Sequence, residues 1–377
     1  MNGDGHGTPV DFVLLGHPAN YEHMCDLFLH FRPDYNRDKL RNYKATVAKL
    51  FEWTPTYATK TPLTIALGSE QELSGRLIIC TFLPEMIRSP RQMVNAFQKT
   101  LAGCRLGKDL GAKIVGLGGF TSIVSGSQGE NLAKQVDIAV TSGNSLTAAL
   151  ALAQLDCLLN RLGWDLSSRT VAVLGATGDI GRACVLALAP RAHRTLLVAR
   201  NEAKLCALRD ELPAGLQPDV STDVHVARRA SVVIAATSAS QPILAEADLK
   251  PGTLVCDIGY PKNLSCAPEP RPDLLVISGG LATMPFELGI TYYTGLPAPT
   301  LIYGCFAEAM ILAMDGRYES YSVGQGRITP EKMETILARA LARGFRPAPP
   351  YRGGKPISEE SLALFAQRYH SPGEVRP

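Results

Sequence analysis

Residues 171–183 read VAVLGATGDIGRA, and this stretch decides the fold. Four apolar residues run directly into Gly175, Gly178 and Gly181 at three-residue spacing, and an apolar segment carrying Cys184, Val185, Leu186 and Leu188 follows. A buried strand, a glycine turn and a helix in that order make a dinucleotide-binding unit. The glycines let the backbone turn tightly and approach a pyrophosphate, while the start of the helix offers free amides at the positive end of its dipole. In this strand–turn–helix setting the triplet is a much stronger signal than three glycines alone.

Outward from that unit, strands are expected at 170–174, 195–199, 232–236, 254–258 and 274–277, with helical segments between several of them. The alternation predicts an α/β fold with a Rossmann-type, doubly wound parallel sheet. Its second strand ends Ala199-Arg200-Asn201, with no carboxylate at the tip. NAD-binding units carry an acid there for the ribose 2′-hydroxyl. A guanidinium pairs instead with a 2′-phosphate, so Arg200 points to NADPH. The expected cofactor-binding set is Gly175, Thr177, Gly178, Asp179, Ile180, Gly181, Arg200 and Asn201, joined by Thr237 and Gly259 just past later strands.

Towards the N-terminus the pattern is again α/β. A short strand at 11–15 stops at Gly16-His17-Pro18, a second apolar stretch covers 77–83, and 88–106 has helical spacing. The strand at 114–117 runs into Gly118-Gly119-Phe120, and Thr141-Ser-Gly-Asn-Ser145 resembles a helix N-cap ahead of a helix at 146–162. Residues 32–61 match no element clearly. Beyond Gly280 the chain is loop-rich, then helical at 305–314 and 330–343, and the proline-rich tail from 346 reads as loosely ordered. Three regions are expected: an N-terminal α/β substrate or carrier domain at 1–145, an NADP-binding domain at 146–285 with its linker helix, and a C-terminal helical region at 286–377 packing back.

Composition narrows the class. The chain has 377 residues, 46% hydrophobic and 19% charged, with a net charge of +3, enough for sizeable cores but too weakly basic to imply nucleic acid. Nine cysteines lie scattered with no C-x-x-C pair and no zinc spacing, which points to a reduced, cytoplasmic protein without a metal site. No secretory leader is expected at the N-terminus, and the most apolar run, 148–159, is broken by Gln154 and Asp156 and too short to span a bilayer. Basic residues do gather locally, giving +4 over residues 32–49 and +5 over 88–113.

Cys305 stands apart from the other thiols. It follows Tyr303-Gly304 and opens an apolar helix, a position that stabilises a thiolate and lowers a thiol pKa. It is the candidate nucleophile, against the blander reading of a buried cap. His17, between Gly16 and Pro18 at a strand end, is the candidate proton donor, with His23 nearby. Glu85, Asp257 and Lys262 also sit just past strand ends, where caps and loop hydrogen bonds are the commoner explanation.

Nine blocks in this order resemble a known family: LLGH (14–17), FLPEM (82–86), LGGFTSIV (117–124), TSGNSLTA (141–148), VAVLGATGDIG (171–181), VARN (198–201), GYPKN (259–263), SGG (278–280) and CFAEAMIL (305–312). The chain is similar over residues 12–347 to the cyanobacterial-type long-chain acyl-[acyl-carrier-protein] reductases. It departs from them at Leu146, where that family has a histidine, and at Ile258, where it has a glycine. The resemblance implies NADPH-dependent reduction of a fatty acyl thioester, carried by acyl carrier protein or CoA, to an aldehyde. It places the acyl-enzyme on Cys305 and implies handover to an aldehyde-consuming enzyme. A carbonyl or imine reductase related to shikimate dehydrogenase is the alternative; it needs a Lys–Asp pair, for which Lys113 and Asp137 are available.

Overall fold

The computed structural model describes residues 9–67, 72–126, 129–265, 271–289, 295–324 and 326–369. The chain divides into two compact units, each assembled from separated segments. One comprises Met1–Gly143, Met284–Gln325 and Arg339–Phe345; the other comprises Asn144–Thr283, Gly326–Ala338 and Arg346–Pro377. The region expected at 286–377 is therefore no unit of its own, because its residues are shared between the two.

In the unit containing the N-terminus, strands Glu72–Ile79, Phe12–Gly16, Ile114–Leu117 and Ala139–Thr141 lie side by side and parallel. Tyr57–Ala58 and Leu63–Ala66 pair antiparallel with Glu72–Ile79. The central strands are buried on both faces, which is why they read as unbroken apolar runs. On one face the Pro90–Asp109 helix supplies Gly103 and Gly107, where an added Cβ would come within 2.9 Å of Leu15 and 2.6 Å of Val13. On the sheet's strip of small residues lies the Gly304–Met314 helix, whose Ala309 and Phe306 close on Gly116 and Gly118. Residues 32–61, illegible in the sequence, form the Arg37–Asn42 and Lys44–Trp53 helices and the short Tyr57–Ala58 strand. They pack on Tyr21, whose hydroxyl donates to the Leu40 carbonyl at 2.6 Å.

The second unit holds six parallel strands. Taken in chain order from Thr170–Leu174 through Arg194–Val198, Asp219–Ser221, Val232–Ala235, Thr253–Asp257 and Leu274–Ser278, they are arranged 3-2-1-4-5-6. That is the Rossmann order, with its switch point between the first and fourth strands. The Asn144–Leu162 and Asp179–Leu188 helices meet through Ala148, Ala149 and Ala183, all buried. Gln154, which interrupts the apolar run, is buried because it is fully used: its amide donates to the Ala348 carbonyl at 3.0 Å and accepts the Gly280 N–H at 2.9 Å. The tail is not loose as far as residue 369. The Glu359–Arg368 helix buries Leu362 and Phe365 in the main core, and the Trp164 indole donates to the Tyr369 carbonyl at 2.9 Å. A polar, proline-rich sequence hid two anchoring side chains one helical turn apart. No helix among the described residues is long and apolar enough to cross a membrane.

Candidate active site

The nucleotide turn has the geometry its sequence predicts. Gly175 has φ +79°, and a Cβ there would lie 2.4 Å from the Ala236 carbonyl oxygen; a Cβ on Gly181 would lie 2.0 Å from the Gly175 oxygen. Neither position tolerates a side chain, because the obstacles are backbone. Gly178 caps the Asp179–Leu188 helix with no side-chain hydrogen bond, which leaves first-turn amides available to an anion. Thr177 and Ile180 are half-buried beside them. Asp179 has a different employment: its carboxylate is buried, accepts the Gly326 N–H at 3.2 Å, and is raised above the usual carboxylate range by burial. Arg200 is exposed at the tip of the second strand and makes no ion pair among the described residues. Asn201 caps the Glu202–Asp210 helix through the Lys204 N–H. This cradle fits a dinucleotide carrying a 2′-phosphate.

Across the switch point, Asn263 does work the sequence reading missed. Fully buried, it accepts the Thr237 N–H at 2.8 Å and donates back to the Thr237 carbonyl at 3.3 Å, as a neighbouring strand would. Asp257 accepts the N–H groups of Gly259, Asn263 and Leu264, and Lys262 donates to the Asp257 carbonyl. The GYPKN block, which contains a cis Tyr260–Pro261 bond, is thus clipped in place at the strand ends. Asp257 and Lys262 are spent on that clip. Asn263 was legible only as part of the GYPKN block, with no periodicity to mark it.

In the other unit, Cys305 is the second residue of the Gly304–Met314 helix, whose start has no side-chain cap. The backbone N–H groups of Gly119, Phe306 and Cys305 itself favour its thiolate. The thiol is nonetheless pushed up to about 11, by burial first and also by the buried Glu308 carboxyl one turn on. This corrects the expected lowering, since desolvation of the anion outweighs the amide dipoles. Two glycine loops hem the residue in. Gly119 has φ +55°, and Gly143 has φ +67° with its absent Cβ only 2.1 Å from the Cys305 Cα. The 141–143 loop is tied down by Thr141, which donates to Glu308 and accepts the Ser322 N–H at 3.1 Å, and by Ser142, which donates to the Ser322 carbonyl.

His17 is buried in the same unit, stacked on Phe82 at 4.9 Å. Its Nδ1 faces the Pro18 carbonyl at 2.9 Å, and its Nε2 accepts the Phe120 N–H at 2.8 Å. Since a carbonyl can only accept, Nδ1 carries the proton. Burial lowers the ring to about 4. A neutral ring with both nitrogens bonded to backbone does not fit the expected proton donor. His23 accepts the Ala19 N–H at 3.2 Å, and Glu85 accepts the Tyr21 N–H and pairs with Lys44. Lys113 pairs with Asp11, and Asp137 with Lys108, so the Lys–Asp pair of the alternative reading is not brought together. Among the described residues no His/Cys/Asp/Glu group is arranged to hold a metal, and Cys266 lies outside them.

A Rossmann sheet with an arginine-tipped second strand, alongside an α/β unit that presents a thiol to backbone amides, defines a two-unit NADPH-dependent oxidoreductase. Comparison with known proteins agrees. Residues 156–271 match the shikimate / quinate 5-dehydrogenase family. The chain is 30% identical over 347 residues to the long-chain acyl-[acyl-carrier-protein] reductase of Synechococcus elongatus, which covers 89% of this chain and 98% of that protein. It belongs to the long-chain acyl-[acyl-carrier-protein] reductase family. A second relative, the aminotransferase PigE of a Serratia species, is 30% identical over 296 residues, covering 76% of this chain but 34% of that protein. The nucleotide-binding domain of Thermoplasma volcanium glutamyl-tRNA reductase matches 36% of this chain and 86% of its own at 19% identity. Its TM-score of 0.26 is too low to bear on the fold.

Arg200→Ala is expected to lower the preference for NADPH over NADH by roughly thirtyfold, the worth of about 2 kcal/mol in charge-assisted contacts. Steady-state kinetics with both cofactors reads this directly. An unchanged preference would assign the 2′-phosphate to another group.

Proposed function

We propose that the protein reduces a long-chain fatty acyl thioester to the aldehyde through an acyl-enzyme on Cys305. The observation that carries the reading is the placement of Cys305 at an uncapped helix start, with the Gly143 turn packed directly on its backbone. The Cys305 sulfur bonds to the acyl carbon while the carbon–sulfur bond to the carrier breaks, and the carrier leaves as its thiol once protonated. Bound NADPH supplies the hydride that reduces the acyl carbon. The resulting tetrahedral alkoxide collapses, expelling the Cys305 thiolate and freeing the aldehyde. Splitting the displacement in two in this way lowers each barrier. The Gly119, Cys305 and Phe306 amides stabilise charge on sulfur and then on the carbonyl oxygen. On the cofactor side, Gly178 and Gly181 with the first amides of the Asp179–Leu188 helix would hold the pyrophosphate and Arg200 the 2′-phosphate. Thr177, Ile180, Asn201, Thr237 and Gly259 would line the remainder. A reactive, poorly soluble product suits an aldehyde-consuming enzyme as its next partner.

The test is aldehyde formation from acyl-carrier and acyl-CoA substrates of several chain lengths. Retained NADPH binding with no aldehyde from any of them, and turnover of a ketone or imine instead, would favour the carbonyl reductase reading.

For the carrier, which is acidic, the two basic stretches are not equal. Between residues 32 and 49, Arg32, Arg37, Arg41 and Lys44 are paired with Asp34, Asp26, Glu22 and Glu85. Along the Pro90–Asp109 helix and its lead-in, Arg88, Arg91 and Arg105 are exposed with no ion pair among the described residues, and Met93 and Val94 are exposed beside them. We propose this second face as the carrier's landing site. Reversing the three arginines to glutamate is expected to raise the KM for the acyl-carrier substrate about tenfold and flatten its dependence on salt. An unchanged KM and salt slope would place the carrier elsewhere.

A further inference from the structure

We propose that His17 is a positioning residue for the nucleophile: its two backbone hydrogen bonds hold the 118–120 turn, which packs on the Phe306 ring, against the start of the Cys305 helix. The inference rests on Cys305 being the nucleophile. Gly118 lies against Phe306, whose ring is 2.4 Å from where a Cβ would stand. Gly119 and Phe120 are consecutive; the Phe120 N–H goes to the imidazole, and the Gly119 amide favours the Cys305 thiolate. Only a glycine readily takes the φ +55°, ψ −126° conformation that splits them so. Because glycine is conformationally free, hydrogen bonds on either side are what fix the turn in this one conformation. The Gly118 N–H, bonded to the Leu15 carbonyl at 2.9 Å, fixes one end, and the His17 Nε2 fixes the other.

The ring is itself fixed on every side that matters. Its Nδ1–H donates to the carbonyl of the adjoining Pro18, which forces the tautomer with a bare Nε2, the only form able to accept from an amide. Phe82 stacks on its face and Phe120 meets it edge-on, 6.1 Å between centroids. Burial keeps the ring neutral through the physiological range, so the acceptor is present whenever the enzyme works. A group that never changes charge cannot shuttle the proton, yet it can hold the amide that receives the negative charge.

Cofactor-free protein is alkylated with iodoacetamide from pH 7 to 10, and the Cys305 peptide is followed by mass. His17→Phe is expected to lower the Cys305 rate about tenfold at every pH, leaving the slope intact, and to lower kcat with little change in KM. His17→Gln, which offers an acceptor close to the Nε2 position, is expected to restore the rate. Melting curves check that each variant folds. If the phenylalanine variant does not fold, His17→Asn replaces it: its acceptor reaches only the Nδ1 position, so it should remain slow where glutamine recovers. Alkylation at the wild-type rate in a folded phenylalanine or asparagine variant overturns the proposal. An acyl adduct absent from the wild type would instead remove the nucleophile reading on which it stands, so the two failures are told apart.

Discussion

Cys305→Ala, mixed with a long-chain acyl thioester in the absence of NADPH, is expected to keep its unmodified mass, whereas the wild type gains one acyl group and releases it as aldehyde when NADPH is added. Loss of the covalent route should lower aldehyde formation by roughly a thousandfold or more. Cofactor binding should survive, because the glycine turn and Arg200 lie on another sheet. The acylation rate should also report the state of the thiol. A thiol raised to about 11 holds its proton more tightly than an ordinary one, so the thiolate fraction climbs about tenfold per pH unit below that value. Acylation should therefore still be rising between pH 9 and 10. Aldehyde from the alanine variant at the wild-type rate would end the acyl-enzyme mechanism. A rate already level at pH 8 would mean that substrate binding or an additional base frees the thiolate.

Gly143→Ala is expected to slow acylation on the order of a hundredfold without touching the sulfur. Its added methyl would fall 2.1 Å from the Cys305 Cα and 2.3 Å from the Cys305 carbonyl oxygen, both backbone atoms that cannot swing aside. The φ of +67° adds about 1–2 kcal/mol of strain for any residue with a Cβ. The loop cannot retreat cheaply either, since Thr141 and Ser142 moor it to Glu308 and Ser322. The start of the helix must then shift, and a displacement near 1 Å at a reacting atom costs on the order of a hundredfold in rate. The comparison to make is acylation against NADPH affinity. Acylation at the wild-type rate would show that the loop has no part in placing the thiol, and loss of both would indicate general unfolding.

Particular residues show what could be read ahead of the structure. Five of the six strands of the second sheet were legible because each is a short apolar run bounded by turn residues, whereas Asp219–Ser221 is short and polar and escaped; Gly175, Gly178 and Gly181 sit where spacing put them. Cys305 at a helix start was legible too. Its pKa was not, because the helix dipole can be inferred from local sequence whereas desolvation depends on what the rest of the chain packs around the sulfur. The same limit applies to His17. A histidine between glycine and proline looks exposed and reactive, and only the Phe120 amide, over a hundred residues away, shows how it is engaged. The helices between residues 32 and 61 escaped because their buried faces are small, with Leu40 and Ala48 the buried residues, and aromatic side chains such as Tyr43 and Trp53 point outward. Pairing of Arg37 with Asp26 and of Arg41 with Glu22 likewise erased a charge cluster that counting alone had raised.

The segmented make-up of the first unit has a consequence for biosynthesis. The strip of its sheet formed by Leu14, Gly116 and Gly118 is covered by the Gly304–Met314 helix, which leaves the ribosome only after the entire Asn144–Thr283 segment. At ordinary translation rates those ~140 residues take roughly 7–28 s. For that interval the nascent sheet carries an open apolar face, so a stretch of codons near residue 143 that slows elongation should increase dependence on chaperones, whereas the Rossmann sheet can close soon after residue 278 emerges.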